Sequence, residues 1–151
     1  MEQQDIVFMQ AALEEAKQAA LEGEVPVGAV VVWEGKIVST ARNRRETDKN
    51  ALSHAELMAI DKACKSLGGW RLHKATLYVT LEPCPMCAGA IVNARIARVV
   101  FGARDPKAGC FGSVADFCAL PFNHAPEVTG GVLEEECAAL LRDFFRRLRR
   151  A

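Results

Sequence analysis

The sequence predicts an α/β sandwich, in which helices alternate with the strands of a largely buried sheet. Three observations lead to this fold class. Segments with helical periodicity alternate with short strand-like segments along the chain. One of the strand-like segments, 27–33, is almost continuously apolar, as strands covered on both faces are, and 97–102 is another apolar segment. The chain has 151 residues, half of them apolar, which is enough for one compact core.

The first third of the chain predicts a helix followed by a hairpin. Apolar residues form one stripe over residues 5–22, which indicates an amphipathic helix. The run 27–33 and the segment 36–41 predict two strands, and the turn pair Glu34-Gly35 between them favours a hairpin. Residues 43–50 are polar and irregular.

The remaining elements alternate between helix and strand. We expect a helix over 55–67 that ends at Gly68-Gly69, and a strand over 75–81. Pro83 and Pro85 are typical of a helix start. The helix that starts there should run to about residue 93. The other expected elements are a strand over 97–102, a long loop with or without a short helix over 105–126, a short strand over 127–129 and a helix over 134–149. A loop of this length in a compact domain is usually functional.

Composition favours a globular, cytoplasmic protein. A quarter of the residues are charged and the formal net charge is zero, so the overall charge does not indicate a nucleic-acid partner. No stretch approaches the roughly 18 consecutive apolar residues of a membrane span. The acidic N-terminus lacks the pattern of a signal peptide. We therefore expect one cytoplasmic domain over residues 1–151 and no membrane partner.

Two of the six cysteines have the spacing of metal ligands. In a cytosolic chain, cysteines are more often ligands or buried small side chains than disulfides. Cys84 and Cys87, at the first turn of a helix, face the same way, and the helix N-terminus favours thiolates. Core packing is the favoured interpretation of the other four: Cys64, Cys110, Cys118 and Cys137.

His54, at the start of the preceding helix, can supply a third ligand. His73 and His124 lie in no paired motif, so no fourth protein ligand is indicated. Three protein ligands and an open position are typical of a catalytic zinc site rather than a structural one. We therefore predict one Zn²⁺ per chain.

Glu56 follows His54 by two positions and is the predicted catalytic residue. Alone, a first-turn glutamate would be interpreted as complementing the helix dipole. Beside a zinc ion with an open position, it can act as a general acid and base. In this mechanism zinc lowers the pKa of its water toward about 7, the resulting hydroxide attacks, and Glu56 carries the protons.

The segments His54-Ala55-Glu56 and Pro83-Cys84-Pro85-Met86-Cys87 together form the signature of zinc-dependent deaminases of cytosine and adenine. Over nearly its whole length the chain also resembles the bacterial tRNA-specific adenosine deaminase family. The matching segments are 25–30, 54–56, 75–89, 99–105 and 136–145. Residues 101–105 and the Phe-Phe-Arg tail are more particular to the tRNA enzymes than to the wider superfamily.

This resemblance implies a three-layer α/β/α sandwich of the cytidine deaminase type, with a five-stranded mixed sheet flanked by helices. It implies a homodimer whose partner shapes the RNA site, and formation of inosine at the wobble position of an arginine tRNA anticodon. The family's metal ligands and proton shuttle fall on His54, Cys84, Cys87 and Glu56. Its substrate-contacting positions fall on Asn43, Ala29 and Asp105.

Two alternatives remain open at this point. The first is a deaminase of a free base or nucleotide, of the guanine or deoxycytidylate type; His54 argues only against the three-cysteine type that acts on free cytidine. The second is a non-catalytic, zinc-stabilised RNA-binding module, against which Glu56 and the missing fourth ligand argue. Product analysis separates the three.

The last ten residues hold five arginines, which follow or flank Phe144 and Phe145. Arginines can neutralise phosphates and aromatic rings can stack on unpaired bases, so we expect RNA contacts from Phe145 and Arg146. On the other interpretation, these cations complement the dipole at the helix C-terminus and need no ligand. The two interpretations predict different salt dependence of RNA binding.

Overall fold

A computed structural model describes residues 2–150 of the chain. The elements in chain order are α1 (Glu2–Leu21), β1 (Gly28–Trp33), β2 (Lys36–Arg42), α2 (Arg45–Asp48), α3 (Ala55–Leu67), β3 (Ala75–Leu81), α4 (Pro85–Asn93), β4 (Arg98–Ala103), a 3₁₀ turn (Phe117–Ala119), β5 (Glu127–Gly130) and α5 (Glu134–Arg150). No helix within 2–150 is long and apolar enough to cross a membrane.

The five strands form one mixed sheet in the order β2-β1-β3-β4-β5. Strand β1 runs antiparallel to both β2 and β3, while β3, β4 and β5 run parallel. The hairpin predicted around Glu34-Gly35 is the β1–β2 pair. The predicted five-stranded mixed sheet is confirmed.

Helices cover both faces of the sheet. Helices α1 and α5 pack on one face, where Met9, Val30 and Cys137 belong to one buried cluster. Helices α3 and α4 pack on the other face, where Ala59 and Ile91 belong to a second cluster. This arrangement confirms the three-layer α/β/α sandwich.

The structure differs from the predicted elements mainly near the N-terminus and in segment 43–50. Helix α1 begins at Glu2, before the expected start at Asp5, since glutamate and glutamine are good helix formers. Segment 43–50, expected to be irregular, contains the single helical turn α2. Lys49 ends that turn in the left-handed conformation with φ 51°. A four-residue helix has no apolar periodicity for a sequence pattern to reveal.

Gly28 lets α1 approach the sheet closely beside the site. A Cβ at this position would overlap with the Ala12 carbonyl oxygen and the Ala16 nitrogen of α1. The Gly28 N–H also donates a hydrogen bond to Thr80 Oγ1 on β3, at 3.1 Å. The start of β1 is therefore fixed from two sides.

A buried ion pair ties α1 to the middle of the sheet. Asp5 accepts hydrogen bonds from Tyr78 Oη at 2.7 Å and from Arg98 Nη1 and Nη2 at 2.9 and 2.8 Å. The side chains of Asp5 and Arg98 are only 5% and 14% exposed. Burial raises the pKa of Asp5, but the hydrogen bonds from Arg98 and Tyr78 outweigh it and hold that pKa below its usual value.

We expect Asp5→Asn to lower the free energy of unfolding at pH 7 by about 3–5 kcal/mol, because it leaves the Arg98 charge buried without its partner. The depressed pKa means that the carboxylate stabilises the protein above its unfolded-state pKa of about 3.9 and ceases to do so as the pH falls through the folded-state value. Urea unfolding of the wild type and of Asp5→Asn, measured at pH 7 and at pH 3, should therefore show a smaller difference in the free energy of unfolding at the lower pH. Asp61→Asn, which removes an exposed pair with Lys65, is the control and should change stability by less than about 1 kcal/mol.

Candidate active site

The chemically active residues meet at one edge of the sheet. The parallel strands β3 and β4 both end there, at Leu81 and Ala103. The antiparallel strand β1 begins at the same edge and β2 ends there, since Gly28 pairs with Arg42. In α/β sheets, the loops beyond the carboxyl ends of parallel strands commonly build the ligand site.

Two helices start at this edge, each with a predicted metal ligand as its N-cap. His54 precedes α3 and Cys84 precedes α4, both with extended backbone conformations. Cys87 lies in the first turn of α4 and is fully buried. The positive ends of two helix dipoles therefore point toward the same place, which favours thiolates there.

The structure brings His54, Cys84 and Cys87 together. Their ligand atoms all lie within 4.8 Å of one another. His54 Nδ1 is 3.6 Å from Cys84 Sγ and 3.5 Å from Cys87 Sγ. Tetrahedral zinc with bonds of about 2.3 Å to sulfur and about 2.0–2.1 Å to nitrogen requires sulfur–nitrogen separations of about 3.6 Å. The donor atoms and their spacing thus fit one zinc ion.

The two thiols differ sharply in acidity. The hydrogen bond with Cys87 lowers the pKa of Cys84 to about 4, and His54 acts in the same direction. The hydrogen bond with the Cys84 sulfur and burial raise the pKa of Cys87 well above its usual value. One proton is thus shared by two sulfurs, and a dication is the kind of ligand that would stabilise both as thiolates.

Glu56, in the first turn of α3, is almost fully buried beside these donors. Burial raises its pKa to about 7, although His54 acts in the opposite direction. A bound dication would favour the charged carboxylate and lower that pKa. A buried carboxylate within reach of the reacting atoms can both accept and return a proton.

Two of the three metal-ligating residues, His54 and Cys84, border a cavity of about 220 Å³ together with Glu56. The remaining lining residues come from the ends of the surrounding elements and from the loops between them: Val25, Val27, Asn43, Arg45, Ala55, Leu81, Glu82, Asp105 and Ala108. Pockets for drug-sized ligands are typically 300–1,000 Å³. This cavity therefore suits one flat ring rather than a whole nucleotide chain.

Asn43 and Asp105, two predicted substrate contacts, lie on opposite walls. Asn43 is buried; its amide donates to the Val25 carbonyl at 3.2 Å and accepts from the Arg45 N–H at 3.2 Å. An amide has two donor hydrogens and two acceptor lone pairs, so one of each remains for a ligand. Asp105 is half-buried and accepts the Lys107 and Ala108 N–H groups, which curls its loop toward the cavity.

Ala29, a third predicted substrate contact, lies elsewhere. It is fully buried in β1, within the core cluster under α3 and α4. It is not one of the residues that line the cavity, where Val27 lies instead. Sequence reasoning missed Arg45 on the cavity wall, because nothing in a polar loop distinguishes one arginine from its neighbours.

Phe145 and Arg146 lie beside a separate groove of about 460 Å³ on α5, lined by Lys107, Leu141, Arg142, Phe145, Arg146 and Arg149. Phe145 is exposed and Phe144 is half-buried. Lys107 belongs to the loop whose neighbouring residues Asp105 and Ala108 line the cavity. The cationic groove and the cavity are therefore joined through one loop.

Comparisons with known proteins agree with this geometry. A family model of MafB19-like deaminases matches residues 2–149. The chain is 56% identical over 148 residues to a tRNA-specific adenosine deaminase of Bacillus subtilis (strain 168), which covers 97% of this chain and 92% of that protein. A structure solved in a study of A-to-I editing by tRNA:A34 deaminases at the wobble position of transfer RNA superimposes with a TM-score of 0.87 at 47% identity, covering 89% of this chain and 98% of that chain.

A guanine deaminase from Bacillus subtilis is a more distant structural neighbour. It has a TM-score of 0.62 at 30% identity and covers 78% of this chain and 85% of that chain. Both tRNA enzymes have greater identity to this chain and cover more of it than this guanine deaminase does. The predicted resemblance is confirmed, and the chain belongs to the bacterial tRNA-specific adenosine deaminase family.

Proposed function

We propose that this protein hydrolyses adenosine to inosine at the wobble position of a tRNA anticodon, with an arginine tRNA as substrate. The observation that carries the proposal is the group of three metal-ligating side chains with the buried Glu56 beside it, in a cavity the size of one base. The names of the relatives above supply the substrate class.

His54, Cys84 and Cys87 are proposed to hold one zinc ion. When bound, zinc would act as a Lewis acid and lower the pKa of a water molecule toward about 7. Glu56 takes a proton from the attacking water and delivers it to the ring nitrogen beside the amino-bearing carbon. The water oxygen bonds to that carbon. Glu56 then transfers the second proton of the water to the amino group, which leaves as ammonia.

The walls are proposed to hold the base while Glu56 moves protons. The free donor and acceptor of Asn43 can bind polar edge atoms of a purine. Asp105, on the opposite wall, is proposed to contact the backbone beside the flipped nucleotide. Extruding a base costs a few kcal/mol in a duplex and less in an anticodon loop, where bases are already unpaired.

A cationic groove beside a one-base cavity favours a polynucleotide over a free nucleoside. Lys107, Arg142, Arg146 and Arg149 can neutralise phosphates, and the exposed Phe145 ring can stack on an unpaired base. We also propose a homodimer and a cytoplasmic location. The family resemblance supports the dimer, and the tRNA substrate supports the location.

The decisive experiment incubates the zinc-loaded protein with four substrates: an arginine tRNA, its anticodon stem-loop, free adenosine and guanine. We expect inosine in both RNAs and negligible turnover of the small molecules. Turnover of guanine without formation of inosine in RNA would show that the protein is a free-base deaminase. Absence of all turnover in a zinc-loaded, folded sample would favour a binding module.

We expect Arg146→Gln/Arg149→Gln to weaken stem-loop binding and to flatten its salt dependence. Each lost phosphate contact reduces the log–log slope by about 0.7–0.9. The slope is measured by fluorescence anisotropy between low and moderate salt. Zinc content and melting temperature should stay nearly unchanged, because these side chains lie on the surface.

Arg147→Gln/Arg150→Gln is the matched control. Both residues belong to α5 and both are exposed, but neither lines the groove. This control removes the same two positive charges as Arg146→Gln/Arg149→Gln does. It should reduce the log–log salt slope of stem-loop binding less. Equal slopes in the two double variants, or a lowered melting temperature with an unchanged slope, would assign the arginines to the helix dipole instead.

A further inference from the structure

The wall that carries Asp105 is held by a single buried carboxylate, that of Glu82. Glu82 follows β3 directly and is 1% exposed. Its Oε1 accepts the Asp105 N–H at 3.1 Å and the Ser113 hydroxyl. Its Oε2 accepts the N–H groups of Phe111 and Ser113 at 3.0 and 3.1 Å. Both ends of the loop 105–113 are thus fixed to one side chain.

The chain closes over this carboxylate at Gly109. A Cβ at that position would overlap with the Glu82 carboxyl group, so only glycine allows the loop to pass this closely. The loop between the two anchored ends includes Lys107 of the cationic groove and Ala108 of the cavity wall. Glu82 therefore fixes the positions of the cavity wall and of the Lys107 side of the cationic groove relative to His54, Cys84 and Cys87.

The opposite wall has an equivalent anchor in Glu24. This residue lies between α1 and β1 and is also 1% exposed. Its Oε1 accepts the Glu46 N–H at 3.1 Å, and its Oε2 accepts the N–H and the hydroxyl of Thr47, both at 2.6 Å. These bonds hold α2, whose first residue, Arg45, borders the cavity next to Asn43.

We propose that Glu82 and Glu24 are positioning residues for the substrate, one for each wall of the cavity. Neither carboxylate is assigned a contact with the reacting atoms; each fixes a segment that is proposed to contact the bound nucleotide. The assignment rests on the proposed RNA deaminase function, and it names residues outside the metal ligands and Glu56. A preorganised wall lowers the ordering cost of binding, so its loss should appear in KM before it appears in the chemical step.

Glutamine is a sharp probe because it keeps the size of the side chain and changes one acceptor into a donor. With its amide nitrogen at the Oε1 position, Glu82→Gln faces the Asp105 N–H, donor against donor. At the Oε2 position the amide would face two backbone donors, from Phe111 and Ser113. The first orientation is favoured, because the Ser113 hydroxyl can rotate so that it no longer donates to this position. In that orientation the substitution removes the hydrogen bond from the Asp105 N–H and keeps those from Phe111 and Ser113.

The test measures kcat and KM for the anticodon stem-loop with the zinc-loaded protein. Glu82→Gln and Glu24→Gln should each raise KM by roughly tenfold or more, with kcat changed much less and zinc content constant. NMR amide exchange supplies a second readout without turnover. Protection of Asp105 should fall in the first variant and protection of Thr47 in the second.

Two further variants guard against a general loss of folding. Ser113→Ala and Thr47→Val each remove one hydroxyl donor and keep the carboxylate, and they should raise KM by a smaller factor. Asp5→Asn disturbs a third buried carboxylate, far along the chain from both walls, and should lower stability without raising KM. All are assayed at a temperature where circular dichroism shows the protein folded.

The outcomes separate the two proposals. Unchanged KM and unchanged exchange in both glutamine variants, in a protein whose wild type forms inosine, would overturn the positioning role. A rise in KM for Asp5→Asn as large as for Glu82→Gln would mean that lowered stability alone explains the rise in KM, and it would overturn the positioning role. If the wild type forms no inosine, the function is wrong, and the exchange of Asp105 and Thr47 still tests the two anchors.

Discussion

Replacing Glu56 with alanine is expected to lower the single-turnover rate on the stem-loop by about 10⁴-fold or more. A general acid or base typically contributes 10²–10⁴-fold, and Glu56 is proposed to serve in more than one proton transfer. Its carboxyl is buried beside the three metal-ligating atoms, so no solvent-exposed group can replace it by moving in. RNA affinity and zinc content should stay near those of the wild type.

Glu56→Gln tests the same role without leaving a cavity. The amide keeps the shape of the side chain but cannot accept a proton at neutral pH, so its loss of rate should approach that of alanine. Asp61→Asn, on the exposed part of the same helix, is the matched control and should retain full rate. A loss below about tenfold in Glu56→Ala would remove this residue from the mechanism.

The meeting of three metal-ligating side chains could be predicted from sequence because the signals are local. The spacing of Cys84 and Cys87 and the helix starts at His54 and Cys84 can be read within a few residues. The position of Glu56 was less obvious, since residues two apart do not share a face of a regular helix. The structure explains it: His54 is an N-cap with φ −82° and ψ 146°, so the helical spacing does not yet apply there.

The walls could not be predicted from local patterns because they depend on topology. Only the order of the strands brings Val25, Asn43 and Asp105 to the same edge of the sheet. Glu82 and Glu24 carry no signal of their own role. Their partners lie 22 to 31 residues further along the chain, and a single acidic residue after a strand or a helix usually faces solvent. The family resemblance supplied Asn43 and Asp105, which spacing alone did not.

The largest effect on the folded state should come from the metal ligands. We expect the double variant Cys84→Ala/Cys87→Ala to fall from about one zinc per chain to almost none. A single remaining imidazole cannot hold the ion at micromolar concentrations, since three ligands define the site. The protein should also melt at a lower temperature, because a ligand that binds only the folded state stabilises it.

The size of that shift follows from linkage. A free zinc concentration 1,000 times the dissociation constant contributes about 4 kcal/mol. In a chain of this length, 1 kcal/mol corresponds to about 2–4 °C, so the melting temperature should fall by roughly 8–16 °C. Wild-type protein treated with a chelator should melt close to the double variant, and the chelator should change the double variant little.

Cys64→Ala provides the matched control for this experiment. Cys64 is a half-buried free cysteine on α3, the helix that His54 caps, and it does not belong to the metal-ligating group. Its replacement should preserve zinc content and the response to the chelator, with only a small packing loss.

Full zinc occupancy in Cys84→Ala/Cys87→Ala would contradict the ligand assignment. A lowered melting temperature with zinc retained would mean that the two thiols stabilise the starts of the helices by packing alone. Loss of zinc together with loss of the chelator effect has one explanation: the thiolates at the N-terminus of α4 bind the metal, and the metal in turn holds α3 and α4 together at the edge of the sheet where Glu56 lies.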